Sequence, residues 1–143
     1  MKSQKPSSRR SFLKQSGVLA AAASVAAPLA ARSCHAAEDN TLKLGLIGCG
    51  GRGTGAISQA LSTQGPTKLW AMADFFQTRL DASLKNLSKR FDSQIELGDR
   101  KFVGLDAYKQ AIDSIAPGGV ALLTTPPAFR PIHMRAAVEA GKH

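Results

Sequence analysis

Cysteine is nearly missing from this chain: its 143 residues hold two, Cys34 and Cys49. That excludes a disulfide framework inside the fold. Aromatic residues are also scarce, with one tryptophan, one tyrosine and six phenylalanines. Surfaces that grip nucleic acid interleave basic residues with stacking aromatics. Here the bases are scattered, so no nucleic-acid partner is expected. Histidine numbers three, and no group of histidines, cysteines and carboxylates stands at metal-ligand spacing, so no metal site is expected. Acidic residues are outnumbered by basic ones, 10 to 19.

Much of that basic excess belongs to the N-terminus. Residues 1–37 carry Lys2, Lys5, Arg9, Arg10, Lys14 and Arg32 and no acid, leaving 13 bases against 10 acids, a net of +3, for the remainder. Ser8-Arg9-Arg10-Ser11-Phe12-Leu13-Lys14 is a twin-arginine export signature, followed by an uncharged, alanine-rich stretch from Gln15 to Ala31. A long leucine-rich run is lacking, and Pro28 interrupts the apolar stretch, which argues against a membrane anchor. Residues 1–37 therefore read as a signal peptide cut near Ala36 or Ala37, with the twin-arginine machinery as a partner and the periplasm as destination. Ala31-Arg32-Ser33 makes a poor lipobox before Cys34.

What the remainder does have is glycine in a pattern. The apolar run Leu42–Ile47 leads into Gly48-Cys49-Gly50-Gly51-Arg52-Gly53, and a helical pattern follows from Ala56 with Ile57, Ala60 and Leu61 on one face. A dinucleotide loop needs one glycine for the turn, a second for backbone approach to pyrophosphate and a third for helix–strand packing. Gly48, Gly50 and Gly53 stand in those places. The motif also requires an acid about 20 residues on, ending a second strand, to bind ribose hydroxyls. Thr67–Ala73 reads as that strand and Asp74 closes it. Cys49 is a small residue tolerated in the loop, with a reactive thiol as the less favoured reading. Arg52 stands within the loop, and Thr54 reads either as a phosphate contact or as a helix N-cap.

Leu80, Leu84, Leu87 and Phe91 then mark an amphipathic helix over Phe75–Phe91. Arg79 on this helix is the residue that would take a 2′-phosphate, whereas the Asp74 carboxylate would repel one, so NAD is preferred to NADP. A short third strand is expected at Lys101–Val103, and a helix capped by Asp106 carries Tyr108, Ala111, Ile112 and Ile115 inward. Pro117-Gly118-Gly119 stops it. Val120–Thr124 is a fourth, apolar strand, and a last helix runs from about Pro131 to Ala140 with Gly141 as its C-cap. Strands alternating with helices give an α/β fold, a doubly wound parallel sheet of about four strands ordered 3-2-1-4 over residues 38–143. The fourth strand is an edge with apolar residues partly uncovered. Trp70 is expected near the ligand crevice.

GLIGCGGRGTG, AMADFFQTRLDASLKNL, LLTTPPAFRPIH and AAVEAGKH, in this order, resemble the N-terminal domain of the glucose–fructose oxidoreductase, inositol dehydrogenase and rhizopine-catabolism family (Gfo/Idh/MocA). The resemblance implies a Rossmann-type domain binding NAD or NADP, with Gly48, Gly50 and Gly53 at the pyrophosphate, Asp74 at the adenosine ribose, and Thr125 and Pro126 beside the nicotinamide. The family pattern has asparagine where Pro127 stands, and extra residues separate it from His133, so His133 is given no cofactor role. Family chains continue into a strand whose glutamate-lysine-proline supplies the catalytic lysine, then into a C-terminal substrate domain. This sequence stops at His143 before either, so no catalytic residue is expected in it. The resemblance further implies an exported sugar or polyol oxidoreductase that keeps its cofactor bound, as glucose–fructose oxidoreductase does. Two other readings compete: a non-catalytic nucleotide-binding module that pairs with a separate chain or as a homo-oligomer, and a gene fragment with no function.

Overall fold

The computed structural model describes residues 40–143, so the expected signal peptide and Cys34 lie outside the described residues. In chain order the elements are β1 (Leu42–Ile47), α1 (Gly51–Leu61), β2 (Thr67–Asp74), α2 (Gln77–Phe91), a 3₁₀ turn at Asp92–Gln94, β3 (Lys101–Val103), α3 (Ala107–Ser114), β4 (Val120–Leu123) and α4 (Arg130–Glu139). All strand pairs are parallel, and the sheet order is β3-β2-β1-β4. The sequence-derived order 3-2-1-4 is thus the observed one.

The two central strands are apolar on both faces because helices cover both. Leu44 and Leu46 of β1 join Leu69 and Met72 of β2 in a core closed by Ile57 and Leu61 of α1 and Leu80 and Leu87 of α2. Ile47, Ala71 and Ala73 face the other way, against Ala111, Ile112, Ile115 and Ala137. Side chains such as Leu46, Ile57, Leu69 and Leu80 are wholly buried, each contributing about 1.5–3 kcal/mol. The second layer is lined mostly by alanines, which lets α3 and α4 approach the sheet closely.

One irregularity interrupts the alternation. β1 pairs Leu44 with Leu69 but Gly45 with Ala71, so Trp70 is an extra residue bulged out of the ladder. Consecutive residues Trp70 and Ala71 therefore lie on the same side of the sheet.

One element start and two capping roles differ from the sequence reading. α1 begins at Gly51, five residues before the apolar periodicity at Ala56, because the glycine loop itself coils into the first turn. Thr54 lies inside that helix rather than capping it; its hydroxyl donates to the Gly50 carbonyl at 3.0 Å. Asp106 occupies the N-cap position of α3 without making a side-chain cap bond; its carboxylate pairs instead with Lys109, at 2.8 Å.

α4 ends as expected at a glycine. Gly141 has φ +65°; its amide donates to Val138, and that of Lys142 to Ala137, the two bonds of a Schellman motif. The chain then returns to the sheet. His143 donates to the Gly119 carbonyl at 3.0 Å and accepts from the Ala121 amide at 2.8 Å, parallel to β4 on its outer side. All four residues of β4 are half-buried, in keeping with an edge.

Candidate functional site

At the end of β1 the chain turns through Gly48, whose φ of +98° is open to glycine and strained for any side chain. Both sides of this turn are tied down. The Gly48 amide donates to the Ala73 carbonyl at 2.8 Å. From β4's side, the Thr124 hydroxyl meets the carbonyl of Gly48 at 2.6 Å and that of Ile47 at 3.1 Å. Gly53 then crosses directly over the turn: a Cβ there would stand 1.9 Å from the Gly48 carbonyl oxygen and 2.7 Å from the Thr124 hydroxyl. The third glycine is therefore required by close packing, as the motif demands.

Gly50 and Gly51 are different. Nothing lies within 4 Å of where their Cβ atoms would be, so the backbone there is open to a ligand. The first turn of α1 contains no acid, and no side chain caps it. Its amides are left without intrahelical acceptors and carry the positive end of the helix dipole. An anion fits this arrangement.

Asp74 closes β2 next to the loop, 8 % exposed. Its carboxylate accepts the Cys49 amide at 2.6 Å through Oδ2 and the Phe76 amide at 2.9 Å through Oδ1. Each oxygen keeps lone pairs for a further donor. The same carboxylate also acts on the Cys49 thiol. Burial first, and then the negative charge of Asp74, push that thiol up to about 12 from an ordinary 9.0. Cys49 is thus a protonated, buried packing residue, and the reactive-thiol reading fails on its environment.

These groups surround a cleft of about 450 Å³ at the carboxyl ends of β1, β2 and β4. Gly48, Gly50, Gly51 and Arg52 form one wall, Asp74 and Arg79 a second, and Thr125 and Pro126 a third. Cys49 and Gly53, also expected at the site, stand behind the wall and hold its shape. Phe75 and Phe76 flank the cleft with rings 4.8 Å apart in an edge-to-face pair, and both are about half exposed.

Among the cleft residues to which the sequence reading assigned no ligand role, two are tied to its polar framework. Thr124, the clamp on Gly48, lines it, and so does His133. His133 is buried beneath the β4–α4 loop, its Nδ1 3.0 Å from the Thr125 hydroxyl and its ring 4.2 Å from that of Tyr108. Burial lowers its pKa below the ordinary 6.5. A histidine-to-threonine bond across eight residues had one sequence sign, the placement of His133 in the first turn of the helix that follows the loop. Trp70 departs from expectation in the other direction. Its indole donates to the Ser114 carbonyl at 2.7 Å and is flanked by Arg100 and Lys43, and it forms no part of the cleft wall.

No family model matches this chain, and no curated protein does. Among solved structures it is similar to apo scyllo-inositol dehydrogenase from Lactobacillus casei, at 21 % identity and a TM-score of 0.51. The match covers 72 % of this chain and 27 % of that one, so the chain spans about a quarter of the length of the protein it resembles. At this identity the likeness shows the fold alone, an open α/β sheet.

Proposed function

We propose that residues 38–143 form the nicotinamide-dinucleotide-binding domain of an exported Gfo/Idh/MocA-type oxidoreductase acting on sugars or polyols, and that the chain is not catalytic alone. The observation that carries this reading is the coincidence of the open Gly50–Gly51 backbone, an uncapped helix start and Asp74 around one cleft at the strand ends. Ligands of open α/β sheets bind in that position. The residues fit the group. Gly48 to Gly53 would cradle the pyrophosphate, Asp74 would accept ribose hydroxyls through its remaining lone pairs, and Thr125 and Pro126 would lie along the nicotinamide. NAD is the first choice on the strength of the Asp74 carboxylate. Bound there, the nicotinamide supplies hydride transfer; this chain's own contribution is to bind and orient it.

Export by the twin-arginine route to the periplasm is part of the proposal and rests on Arg9-Arg10 and the uncharged segment behind them. That route carries folded proteins, which suits a cofactor bound before export. Isothermal titration of the purified full chain with NAD tests the binding: one site is expected, and the absence of heat from a folded sample would remove the function. Cell fractionation with and without Arg9→Lys/Arg10→Lys tests the destination, with retention of the variant in the cytoplasm expected.

A further inference from the structure

The β4–α4 loop closes one side of the cleft, and Thr125 at its start is held at two points. Its carbonyl accepts from Arg130 Nε at 2.8 Å, while its hydroxyl stands 3.0 Å from His133 Nδ1. The first bond fixes the backbone; the second engages the hydroxyl alone. The rest of the loop is closed by main-chain bonds, the Phe129 amide donating to Pro126 and the His133 amide to Phe129. Loss of the imidazole would therefore leave the loop on its path and free the hydroxyl to rotate.

A hydroxyl has one hydrogen, and the imidazole decides where it points. Among the described residues the ring is the one partner of the Thr125 hydroxyl. A neutral histidine with a bare Nδ1 takes that hydrogen and leaves the oxygen with lone pairs for the cleft. The other neutral tautomer, with Nδ1–H, would strand the hydroxyl hydrogen without a protein acceptor, so the bare Nδ1 is assigned on the hydrogen bonding. Protonation reverses the bond: Nδ1–H then donates to the Thr125 oxygen, and the hydroxyl hydrogen turns outward. The ring can carry that charge in place, because the Tyr108 ring lies against it at 4.2 Å between centres.

The charged groups sharing this hollow are Arg130 beside Thr125, Asp74 at the end of β2, Arg52 of α1 and Arg79 of α2; α3 turns the Tyr108 phenol to the histidine, and β4 leads to the hydroxyls of Thr124 and Thr125. Among the described residues no carboxylate forms an ion pair with His133. Burial lowers its pKa from 6.5, so it is neutral at pH 8 and charges in acid.

Resting on the dinucleotide reading above, we infer that His133 is a positioning residue that makes Thr125 a hydrogen-bond acceptor, so that the site selects a carboxamide over a carboxylate on the pyridinium ring. An amide brings the N–H that the bared lone pairs need. A carboxylate brings only oxygens, which those lone pairs repel. Acid turns Thr125 into a donor and shifts the selection toward the carboxylate.

The test is calorimetric titration of the full chain at pH 8 and pH 5 with NAD, with nicotinic acid adenine dinucleotide and with ADP-ribose, for wild type, His133→Gln and Thr125→Val, with circular dichroism to establish folding. In wild type at pH 8 the acid form should bind about tenfold or more weaker than NAD, the effect of one mismatched hydrogen bond, and this ratio should shrink at least threefold at pH 5. Gln accepts the hydroxyl hydrogen through its carbonyl oxygen but does not titrate, so His133→Gln should keep the pH 8 ratio within about threefold and hold it at pH 5. Thr125→Val should lower the ratio and make it flat. ADP-ribose lacks the pyridinium ring and should bind wild type and His133→Gln alike. Should a variant fail to fold, the wild-type pH profile decides. A wild-type ratio that is near unity or indifferent to pH, a His133→Gln ratio that follows wild type with pH, or a folded His133→Gln that loses ADP-ribose as well overturns this inference and leaves the dinucleotide domain standing. Binding of none of the three to folded wild type overturns both.

Discussion

The carboxylate of Asp74 holds the amide of Cys49 at 2.6 Å, joining the last residue of β2 to the loop that leaves β1. Because a second oxygen takes the Phe76 amide, one side chain fixes two backbone turns. Asp74→Asn replaces one acceptor by a donor that must face an amide N–H. We expect it to destabilise the fold by about 1–3 kcal/mol, the cost of a buried donor left without a partner. Urea unfolding of the two proteins checks this, and equal midpoints would show that the bond carries no stability.

Gly53 and Gly55, two residues apart in the motif, should respond oppositely to alanine. Gly53→Ala drives a methyl into the Gly48 carbonyl and the Thr124 hydroxyl, so the turn must open; nucleotide affinity should fall about tenfold or more, with a lower melting temperature. Gly55 is exposed in α1 with nothing near its missing Cβ. Gly55→Ala should raise stability by about 0.5–1 kcal/mol through helix propensity. Thermal melts of both variants distinguish packing from propensity.

Cys49 gives an alkaline signature. Below its ordinary 9.0 the thiol is protonated in the folded and unfolded chains alike; above it the unfolded chain releases a proton that the folded chain retains until about 12. The unfolded state is therefore favoured progressively as pH rises through that window. Wild type should exceed Cys49→Ala in unfolding free energy at pH 7.5, and the gap should narrow at pH 10. Alkylation of Cys49 at pH 8, followed by peptide mass spectrometry, should be negligible until urea is added.

His133 gives the acid counterpart. Its folded pKa is lowered by burial from 6.5, so above that value it is neutral in both states and contributes no pH dependence. As pH falls below about 6.5 the unfolded chain takes up the proton first, and stability declines until the folded histidine also titrates. His133→Gln, which retains an acceptor for the Thr125 hydroxyl, should lose part of this decline between pH 7 and pH 5, measured by denaturant midpoints.

What the sequence disclosed was local periodicity, and where that governed, the structure followed it. The apolar run Leu42–Ile47, the stripe Leu80–Leu87–Phe91 and the order of strands needed no distant information. The start of α1 at Gly51 was hidden because glycines lack helix propensity; the turn forms there because the strand below and Gly53's contact with Gly48 impose it. Long-range bonds were equally hidden. Thr124 clamps a residue 76 positions earlier, and Asp106 chose Lys109 over its helix amides. At the site, seven of the eight named wall residues, all but Arg79, were legible from the glycine spacing, the acid at strand end and the family resemblance. The burial of Cys49 behind that wall, and the arrival of His133 at it, depended on how the layers pack.

The Thr124 clamp ties the fate of the glycine turn to a strand with a single inner neighbour. β4 is half-buried throughout, and among the described residues its outer ladder meets only His143. Edges of this kind open more often than sheet centres. Each time β4 lifts away, Gly48 loses the hydroxyl that pins its carbonyl and Gly53 loses the neighbour against which it is wedged. The lifetime of an intact turn is therefore governed by an edge member of the sheet, although β1, from which the turn emerges, is a central strand.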